Sequence, residues 1–160
     1  MKYIICFLFS VIFINAIAQS PSDSLFNKLN TANDNDKVEI YLAIAKENWR
    51  ISTDSIYKYS KLALNLSREI KYSNGEAQAL SYIGVTFFYK AEYDSVFYYY
   101  DSAIEKFKES NNMSGVAIAI NNKGVLYKRM GDYHQAIECY NKAKKIHEKN
   151  QDHREIGGAL

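Results

Sequence analysis

The side chains best suited to chemistry in this sequence lie close to its C-terminal end. They are His134, Cys139, His147 and His153. A metal site, or a nucleophile paired with a base, needs at least two such groups within a few ångströms of each other. His134 and His147 stand 13 residues apart on one predicted helix, which separates them by about 20 Å. These two histidines therefore cannot share a metal ion.

The remaining chemical motifs are weak. His147 and His153 flank a predicted loop that contains Asp152, so a weak surface metal site is conceivable, but solvated histidines at helix ends are ordinary. Gly157-Gly158 is not followed by the Lys-Ser or Lys-Thr of a phosphate-binding loop. We find no catalytic constellation, and the sequence predicts no enzyme activity, no cofactor and no metal within these 160 residues.

The first 18 residues have the layout of a secretory signal peptide. Lys2 supplies the positive start, and residues 3–14 form an apolar run that only Ser10 interrupts. Ala16-Ile17-Ala18 follows as a small-x-small cleavage site. The apolar run is about 12 residues long, short of the roughly 20 needed to span a bilayer. We predict cleavage after Ala18 and an exported, periplasmic or otherwise extracytoplasmic protein; an uncleaved anchor or a buried helix is the alternative.

The charge and cysteine content of the mature chain restrict its partners. Without Lys2 it keeps 19 of the 20 basic residues against 18 acidic ones, which gives no electrostatic reason to expect nucleic acid or an anionic membrane surface. Cys139 would be its single thiol, since Cys6 lies in the apolar run. A lone exported cysteine raises the question of a redox or cross-linking role. Its place beside Tyr140 favours a small apolar filler between helices.

A repeat of 40 residues organises the rest of the chain. Residues 76–115 align with residues 116–155 without a gap, and residues 36–75 form a weaker copy that keeps Tyr59 and Ala63 in register. The clearest matches pair Ala77 with Ala117, Gly84 with Gly124, Tyr100 with Tyr140 and Ala103 with Ala143. A fixed period in this range marks a stacked-repeat protein, in which each unit is a helical hairpin that cannot bury its apolar face alone.

Each unit is predicted to contain two helices. In the third unit, apolar residues at three- and four-residue spacing mark the first helix, over residues 114–130; they are Val116, Ile120, Gly124, Val125 and Tyr127. Gly131 should close this helix in the left-handed conformation and Asp132 should cap the next one. The second helix should run from Tyr133 to Lys149. Its apolar face would carry Ala136, Ile137, Tyr140 and Ala143.

The loops between helices are predicted from short polar segments. The middle unit should turn at Ala91-Glu92 and return the chain at Asn111-Asn112, and the third should return it at residues 150–152.

This spacing resembles the tetratricopeptide repeat, whose pattern has a large apolar residue, a Gly and an aromatic on the first helix, then Ala, an aromatic and Ala on the second. The third unit supplies Ile120, Gly124, Tyr127, Ala136, Tyr140 and Ala143. The second supplies Leu80, Gly84, Phe87, Val96, Tyr100 and Ala103. The first is a poorer match, with Ile40, Ile44, Glu47, Ile56, Ser60 and Ala63. Lys123 also stands where the family usually has an apolar residue.

The resemblance implies an all-α fold, a right-handed α-solenoid of stacked antiparallel helix hairpins. The predicted organisation is a signal peptide at 1–18, a lead-in helix and linker at 19–35, a divergent repeat at 36–75, and stronger repeats at 76–115 and 116–155. Residues 156–160 overlay the opening of the third unit. We expect them to begin a fourth repeat of a longer chain, with a short frayed end as the alternative.

The family resemblance also carries a functional expectation. Long repeats behind a signal peptide are similar to the extracytoplasmic sensor regions of bacterial signalling proteins with histidine kinase, cyclase or transcriptional output domains. The resemblance implies a module that binds a protein or peptide and forms the input region of a bacterial signalling protein. The alternatives are a stand-alone periplasmic scaffold or adaptor, and the non-catalytic front part of an enzyme.

The binding groove is expected on the first helices, which line the concave side of such a stack. The outward residues of the middle unit are Gln78, Ser81, Tyr82, Val85, Phe88 and Tyr89, and those of the third are Ile118, Asn121, Asn122, Val125, Lys128 and Arg129. Those of the first unit are Val38, Tyr41, Leu42, Ala45, Asn48 and Trp49. This mixture of aromatics, amides and two cations suits a peptide. Lys128-Arg129 can equally be a solvated helix end.

Two details of the groove and its surroundings remain open in the sequence. Some family members clamp a terminal carboxylate, but only Asn122 matches that pattern here, and Val85 and Val125 stand where Asn would be required. Four consecutive aromatics at residues 97–100 point all round their helix. Of these, the pair Tyr98-Tyr99 either covers the joint between the second and third units or forms a partner contact.

Overall fold

The computed structural model describes the backbone of residues 21–158 and the side chains of residues 25–49 and 51–150. The predicted signal peptide lies outside the described residues. The described chain contains seven α-helices: α1 (Pro21–Leu29), α2 (Asp34–Glu47), α3 (Thr53–Glu69), α4 (Ser73–Tyr89), α5 (Tyr93–Glu109), α6 (Met113–Met130) and α7 (Tyr133–Gly158). A single 3-10 turn at Asn48–Arg50 follows α2.

The helices form one stack in chain order. Each helix packs on the one before it, and α4 additionally contacts α2 on one side and α6 on the other. Helices α2, α4 and α6 therefore line up as one row, with α3, α5 and α7 as the second row. From α3 onward the helices begin at residues 53, 73, 93, 113 and 133, at equal intervals of 20 residues. The all-α solenoid of helix hairpins is confirmed.

Tight turns at equivalent positions reverse the chain between helices. Lys71, Ala91 and Asn111 take φ values of 57°, 58° and 54°, and Gly131 takes 85°. The left-handed conformation stops a helix but costs a residue with a Cβ about 1–2 kcal/mol. The turn predicted at Ala91-Glu92, the return at Asn111-Asn112 and the closure at Gly131 are all confirmed.

Side-chain caps start two of the later helices. The Asp132 carboxylate accepts a hydrogen bond from the Gln135 backbone N–H at 3.1 Å, as the sequence predicted. The Asn112 side chain accepts one from the Gly115 N–H at 2.8 Å. Each satisfies a backbone donor that the first helical turn leaves without an intrahelical partner.

The return loop predicted at residues 150–152 is wrong, because α7 continues as helix to Gly158. At the earlier returns a residue with positive φ ends the helix, and the chain then gains packing against the next helix. Asn150 is not among the residues with positive φ, so α7 runs on through it. Residues 156–158, expected to open a fourth repeat, are therefore α7 backbone, and residues 159–160 lie outside the described part.

Glycine and tyrosine fit together inside the two stronger hairpins. A Cβ placed on Gly84 would lie 2.7 Å from Cε1 of Tyr100, and one on Gly124 would lie 2.6 Å from Cε1 of Tyr140. Contacts this short do not occur between real carbon atoms, so glycine is required where the ring packs against the helix. The first hairpin reverses the sizes, with Ile44 and Ser60 in the equivalent positions, and both are fully buried.

The core follows the predicted repeat positions with two exceptions. The other repeat positions are buried or partly buried: Leu80, Phe87, Ala103, Ile120, Tyr127, Ala136 and Ala143. Val125 and Ile137, both assigned to apolar faces, are 40% and 58% exposed. Val125 is exposed on the side of α6 that the sequence also assigned to the groove. Ile137 lies on a side of α7 that no described helix covers, so the prediction of a buried face fails there.

The consecutive aromatics of α5 separate into different environments. The Phe97 ring packs on Tyr127 of α6 with centroids 5.0 Å apart. Tyr99 instead stacks on Phe87 of its own hairpin, at 5.1 Å and nearly parallel. Tyr98 is 66% exposed. The expectation that Tyr98 and Tyr99 cover the joint between two units is therefore wrong, and Phe97 does so.

Candidate functional site

A cleft of about 300 Å³ lies along the row of first helices, between the end of α2, the outer face of α4 and the start of α6. A smaller cavity of about 170 Å³ shares Trp49, Val85 and Asn122 with it. We refer to the two together as the Trp49 cleft. Its lining residues are Trp49, Gln78, Ser81, Tyr82, Val85, Phe88, Tyr89, Tyr100, Phe107, Gly115, Ile118, Asn122 and Val125.

Trp49 is placed in the cleft by the early end of α2. This helix has 14 residues, against 17 in α4 and 18 in α6. The 3-10 turn that follows carries Trp49, and the Asn48 side chain anchors the turn by donating a hydrogen bond to the Ile44 carbonyl at 2.8 Å. The indole stays 46% exposed. An exposed tryptophan on a fixed turn is a preformed apolar contact surface.

The outer face of α4 contributes a row of polar and aromatic side chains at helical spacing. Gln78, Ser81, Tyr82 and Val85 recur three and four residues apart and so lie on one face of the helix. The Ser81 hydroxyl already donates to the Ala77 carbonyl at 3.1 Å, which leaves its lone pairs free to accept. The Gln78 amide can both donate and accept hydrogen bonds.

A charged side chain interacts with a cleft residue at each end of the cleft. The Arg129 guanidinium lies 4.6 Å from the centroid of the Phe88 ring, a cation–π contact at the α6 end. Near the α2 end, burial raises the pKa of Tyr82, and the negative charge of Glu39 adds to the shift. Tyr82 therefore stays a neutral phenol that can donate a hydrogen bond across the physiological pH range.

Most of the residues predicted for the groove lie in or beside this cleft. Ten line it: Trp49, Gln78, Ser81, Tyr82, Val85, Phe88, Tyr89, Ile118, Asn122 and Val125. Arg129 borders it through Phe88. The other predicted residues do not line it, and three of them lie elsewhere on the surface or in the core. Tyr41 packs on the core beside Tyr59, with rings 6.5 Å apart; Asn121 lines a cavity between α6 and α7; Lys128 is exposed outside the cleft.

The first unit shows the largest error in the predicted groove face. Val38, Leu42 and Ala45 were expected to face the groove, but their exposures are 0%, 3% and 0%. α4 packs directly on this side of α2, and a Cβ on Gly75 would lie 2.7 Å from Val38. The contact between first helices of adjacent hairpins therefore buries the side that the repeat pattern assigned to the groove.

Three residues of the cleft were missed because the repeat pattern marks them as core or does not single them out. Tyr100, Phe107 and Gly115 form part of its floor. A Cβ on Gly115 would lie 2.4 Å from the Phe107 ring, so α6 begins directly against α5 there. The sequence feature that could have pointed to these residues is Gly115, the glycine near the start of α6.

The described side chains offer little for catalysis. Residues 25–49 and 51–150 contain no group of three or more His, Cys, Asp or Glu placed to hold a metal ion. His134 is a surface residue 3.7 Å from Glu138, and the side chain of His153 lies outside the described ones. Cys139 is partly buried against the core. Burial raises the pKa of its thiol, although Lys123 and Lys142 pull in the opposite direction.

The described part of the chain contains no candidate membrane-spanning helix. Among the helices within residues 21–158, none combines the length and the apolar composition needed to cross a bilayer.

Comparisons with known proteins agree with this architecture. Residues 117–150 match the family model of the tetratricopeptide repeat, so the chain carries this repeat in its third hairpin. Among curated proteins, none matches the sequence. The TPR domain of Arabidopsis FLU superposes with a TM-score of 0.63 at 20% identity, covering 73% of this chain and 99% of that one. BtubC from P. vanneervenii superposes with a TM-score of 0.54 at 20% identity, covering 81% and 71%.

These matches define the fold of the chain. At this identity the two solved structures establish the fold alone, and that fold is a tetratricopeptide-type stack of helix hairpins. Repeats of this family typically act as non-catalytic modules that bind proteins. The chain has the architecture of such a module.

Proposed function

We propose that this chain binds an extended peptide segment of a partner protein in the Trp49 cleft. The single observation that carries the proposal is the open aromatic corner of the cleft, where Trp49 and Tyr89 are each 46% exposed. Exposed aromatic side chains held by a rigid scaffold are enriched among the residues that dominate binding energy. They supply an apolar seat for a large side chain of the peptide.

The polar side chains of the cleft suit the peptide backbone. Gln78 projects from α4 and Asn122 from α6, and both line the larger cavity. An amide side chain can accept from a backbone N–H and donate to a backbone C=O at once. An extended peptide keeps both groups unpaired, whereas a helical one does not. The pair therefore favours an extended ligand.

Trp49 provides a direct readout, because it is the one tryptophan in the sequence. We would select twelve-residue peptides from a random display library on the full chain, then titrate the selected peptides while recording tryptophan emission. The expected result is a saturable blue shift, because the peptide removes the exposed indole from water. Peptides that bind without any change in Trp49 emission would place the binding site elsewhere.

Matched variants locate the binding energy. Tyr89→Ala and Gln78→Ala should each weaken the selected peptides about fivefold or more, as expected for the loss of about 1 kcal/mol at a central contact. Lys128→Ala is the control, since Lys128 is exposed but lies outside the cleft. Far-ultraviolet circular dichroism of each variant checks that the fold is intact. Equal losses for all three variants would argue against the cleft.

The proposal extends to the place of the module in the cell. The charged start, the apolar run of residues 3–14 and the small-x-small site ending at Ala18 support export. An exported peptide-binding stack serves as the input region of a signalling protein in this proposal. Expression of the whole chain in a Gram-negative bacterium should give periplasmic protein whose first residue is Gln19. Cytoplasmic protein that keeps Met1 would contradict export.

The input-region proposal differs from a stand-alone periplasmic scaffold in what the gene encodes next. Reading the coding DNA beyond codon 160 separates them. An open frame that reaches a stretch of about 20 apolar residues supports an input region. A stop codon at that point supports the scaffold instead, and a downstream catalytic motif supports the front part of an enzyme.

A further inference from the structure

The smaller cavity of the Trp49 cleft is lined mainly by aromatic and aliphatic side chains. Its volume is about 170 Å³, and four aromatic residues bound it together with two valines and one asparagine: Trp49, Phe88, Tyr89 and Tyr100. None of the described residues that line it carries a charge. The charged side chain that borders it is Arg129, whose guanidinium stacks on the Phe88 ring at 4.6 Å. This environment disfavours a charged ligand side chain, above all a cation, because no carboxylate would pair with it.

The Tyr100 hydroxyl opens into this cavity without a protein partner. Tyr100 is only 3% exposed, and its ring lies directly against Gly84. No hydrogen bond of the described side chains involves the Tyr100 hydroxyl, and this hydroxyl is not among the enclosed atoms that lack a partner, which belong to Ser60 and Ser67. The small exposed part of Tyr100 therefore includes its hydroxyl, and the cavity is the space that the residue lines. A nearly buried donor in this position calls for an acceptor on a ligand.

The polar groups of the smaller cavity are mainly hydrogen-bond donors. The Trp49 indole can only donate, and each phenol has a proton to donate. Burial raises the pKa of Tyr100, and the nearby Tyr89 adds to the shift, so the Tyr100 phenol keeps its proton at physiological pH. Among the described residues that line the cavity, Asn122 is the one whose side chain has a carbonyl oxygen. The cavity therefore satisfies carbonyl oxygens of a ligand better than it satisfies N–H groups.

Proline is the residue that matches this set of groups. It brings a carbonyl oxygen but no backbone N–H, and its uncharged ring offers an apolar surface to the aromatic side chains. Any other residue would bring an N–H, for which the cavity has a single amide oxygen, that of Asn122. A run of prolines also holds the polyproline II conformation before it binds, so little conformational entropy is lost on binding.

The length of the cleft fits a short segment of this kind. Gln78 and Tyr89 are the first and last cleft residues of α4, and their separation of 11 residues in the sequence corresponds to about 16 Å along the helix axis. Polyproline II rises about 3.1 Å per residue. About five residues of such a segment would therefore span the cleft along α4.

We infer that the partner segment in the Trp49 cleft is rich in proline, with a proline ring in the smaller cavity and an adjacent carbonyl oxygen that accepts a hydrogen bond from the Tyr100 hydroxyl. Gln78, which lines the larger cavity, pairs with the backbone of the flanking residues. This inference rests on the proposed function, because it specifies the chemistry of the same ligand. Tyr100 is then a specificity-determining residue as well as a core residue.

The first experiment compares two neutral, blocked peptides on the full chain. Acetyl-octaproline-amide should shift the emission of Trp49 to the blue in a saturable titration. The control peptide has the same length, and alanine replaces every second proline, which restores N–H groups and keeps the charge at zero. We expect the control peptide to bind at least about fivefold more weakly. Because no ion pair contributes, a higher salt concentration should leave both affinities almost unchanged.

Two matched variants of the chain test the hydroxyl. Tyr100→Phe removes the hydroxyl and keeps the ring against Gly84. It should weaken octaproline binding about fivefold and should not lower the urea midpoint of the free chain, because the hydroxyl has no protein partner there. Tyr140→Phe is the control at the equivalent position of the third hairpin, since Tyr140 lines a cavity between α6 and α7 instead. It should change the affinity less than about twofold.

The outcomes separate this inference from the proposed function. Suppose that library peptides shift Trp49 emission and keep their affinity when alanine replaces each of their prolines. The inference is then wrong, and peptide binding in the cleft stands. Octaproline binding that Tyr100→Phe leaves unchanged would also overturn the inference, as would a lower urea midpoint for this variant. If neither the library peptides nor octaproline changes the emission of Trp49, the inference and the proposed function fail together.

Discussion

At the residue scale, the stack is held together by positions where one side chain leaves room for another. Gly84 and Tyr100 are such a pair, and Gly124 and Tyr140 repeat it. Glycine lowers helix stability by about 0.5–1 kcal/mol relative to alanine. Its presence in mid-helix is therefore a consequence of ring packing and not of helix preference.

Gly84→Ala tests this pairing through the sign of its effect. On an open helix face the change would stabilise, but here the new methyl group would lie 2.7 Å from the Tyr100 ring. We expect a loss of about 1–3 kcal/mol, typical of overpacking in a closed core. Urea unfolding followed by circular dichroism measures it. Gly131→Ala is a contrast, because nothing lies within 4 Å of a Cβ there and only backbone strain opposes it.

Cys139 gives a prediction about reactivity. Burial raises the pKa of its thiol, so at a given pH the folded protein has a smaller thiolate fraction than an unfolded chain. The thiolate is the reactive form. Alkylation by iodoacetamide at neutral pH should therefore be slower in native protein than in urea, and its rate should keep rising at pH values where a free thiol has levelled off. Equal native and denatured rates would contradict this placement.

The repeat pattern in the sequence identified residues that pack in the core better than it identified the residues that they contact. Ile44 and Ser60 were scored as poor matches to the repeat, yet they are a size exchange of the Gly–Tyr pair and both are fully buried. Lys123 was recognised as a departure from the pattern. Its ion pair with Asp101 and its position 5.5 Å from the Phe97 ring could not be read from the sequence, because both partners lie on the neighbouring helix.

At the element scale, the turns between helices combine the same geometry with different residues. Lys71, Ala91 and Asn111 all adopt positive φ. Of these, asparagine tolerates the left-handed region best, because its side chain can hydrogen-bond locally, whereas alanine has no such compensation. The turn between α4 and α5 therefore stores backbone strain that the turn after α5 largely avoids.

Ala91→Gly should relieve this strain. Relief of about 1–2 kcal/mol, less about 0.4–1 kcal/mol for the greater freedom of glycine in the unfolded chain, leaves an expected gain of about 0.5–1 kcal/mol. The matched variant Asn111→Gly should change stability much less. Urea midpoints of both variants at one protein concentration provide the comparison. A loss of stability in Ala91→Gly would show that the turn carries no strain.

Helix positions were predictable to within a few residues because apolar spacing and turn residues agree along most of the chain. The prediction failed at residues 150–152, where the polar segment Asn150-Gln151-Asp152 stays helical. A polar segment breaks a helix when the returning chain gains packing, and that gain is a tertiary effect. Trp49 was assigned to the groove face from its repeat position, but the early end of α2 and the 3-10 turn that carries Trp49 could not be predicted from the apolar spacing.

At the scale of the whole molecule, stability should vary along the stack. α4 and α5 have helices on both sides, whereas α1 contacts only α2 and the described α7 contacts only α6. In a stack whose units contact only neighbours, the ends open first. Native-state hydrogen exchange should show the slowest amides in α4 and α5 and the fastest in α1 and beyond residue 150. Uniform protection would indicate that the array unfolds as one unit.

The equal spacing of the helices has a consequence for the gene. Because α3 to α7 begin at intervals of 20 residues, the DNA segments that encode the two stronger hairpins have equal length and a shared reading frame. Unequal recombination between them would insert or delete one complete hairpin. Each product would still place a glycine of the Gly84 type opposite a ring of the Tyr100 type, so solenoids of different length can arise in single genetic events without a change in their joints.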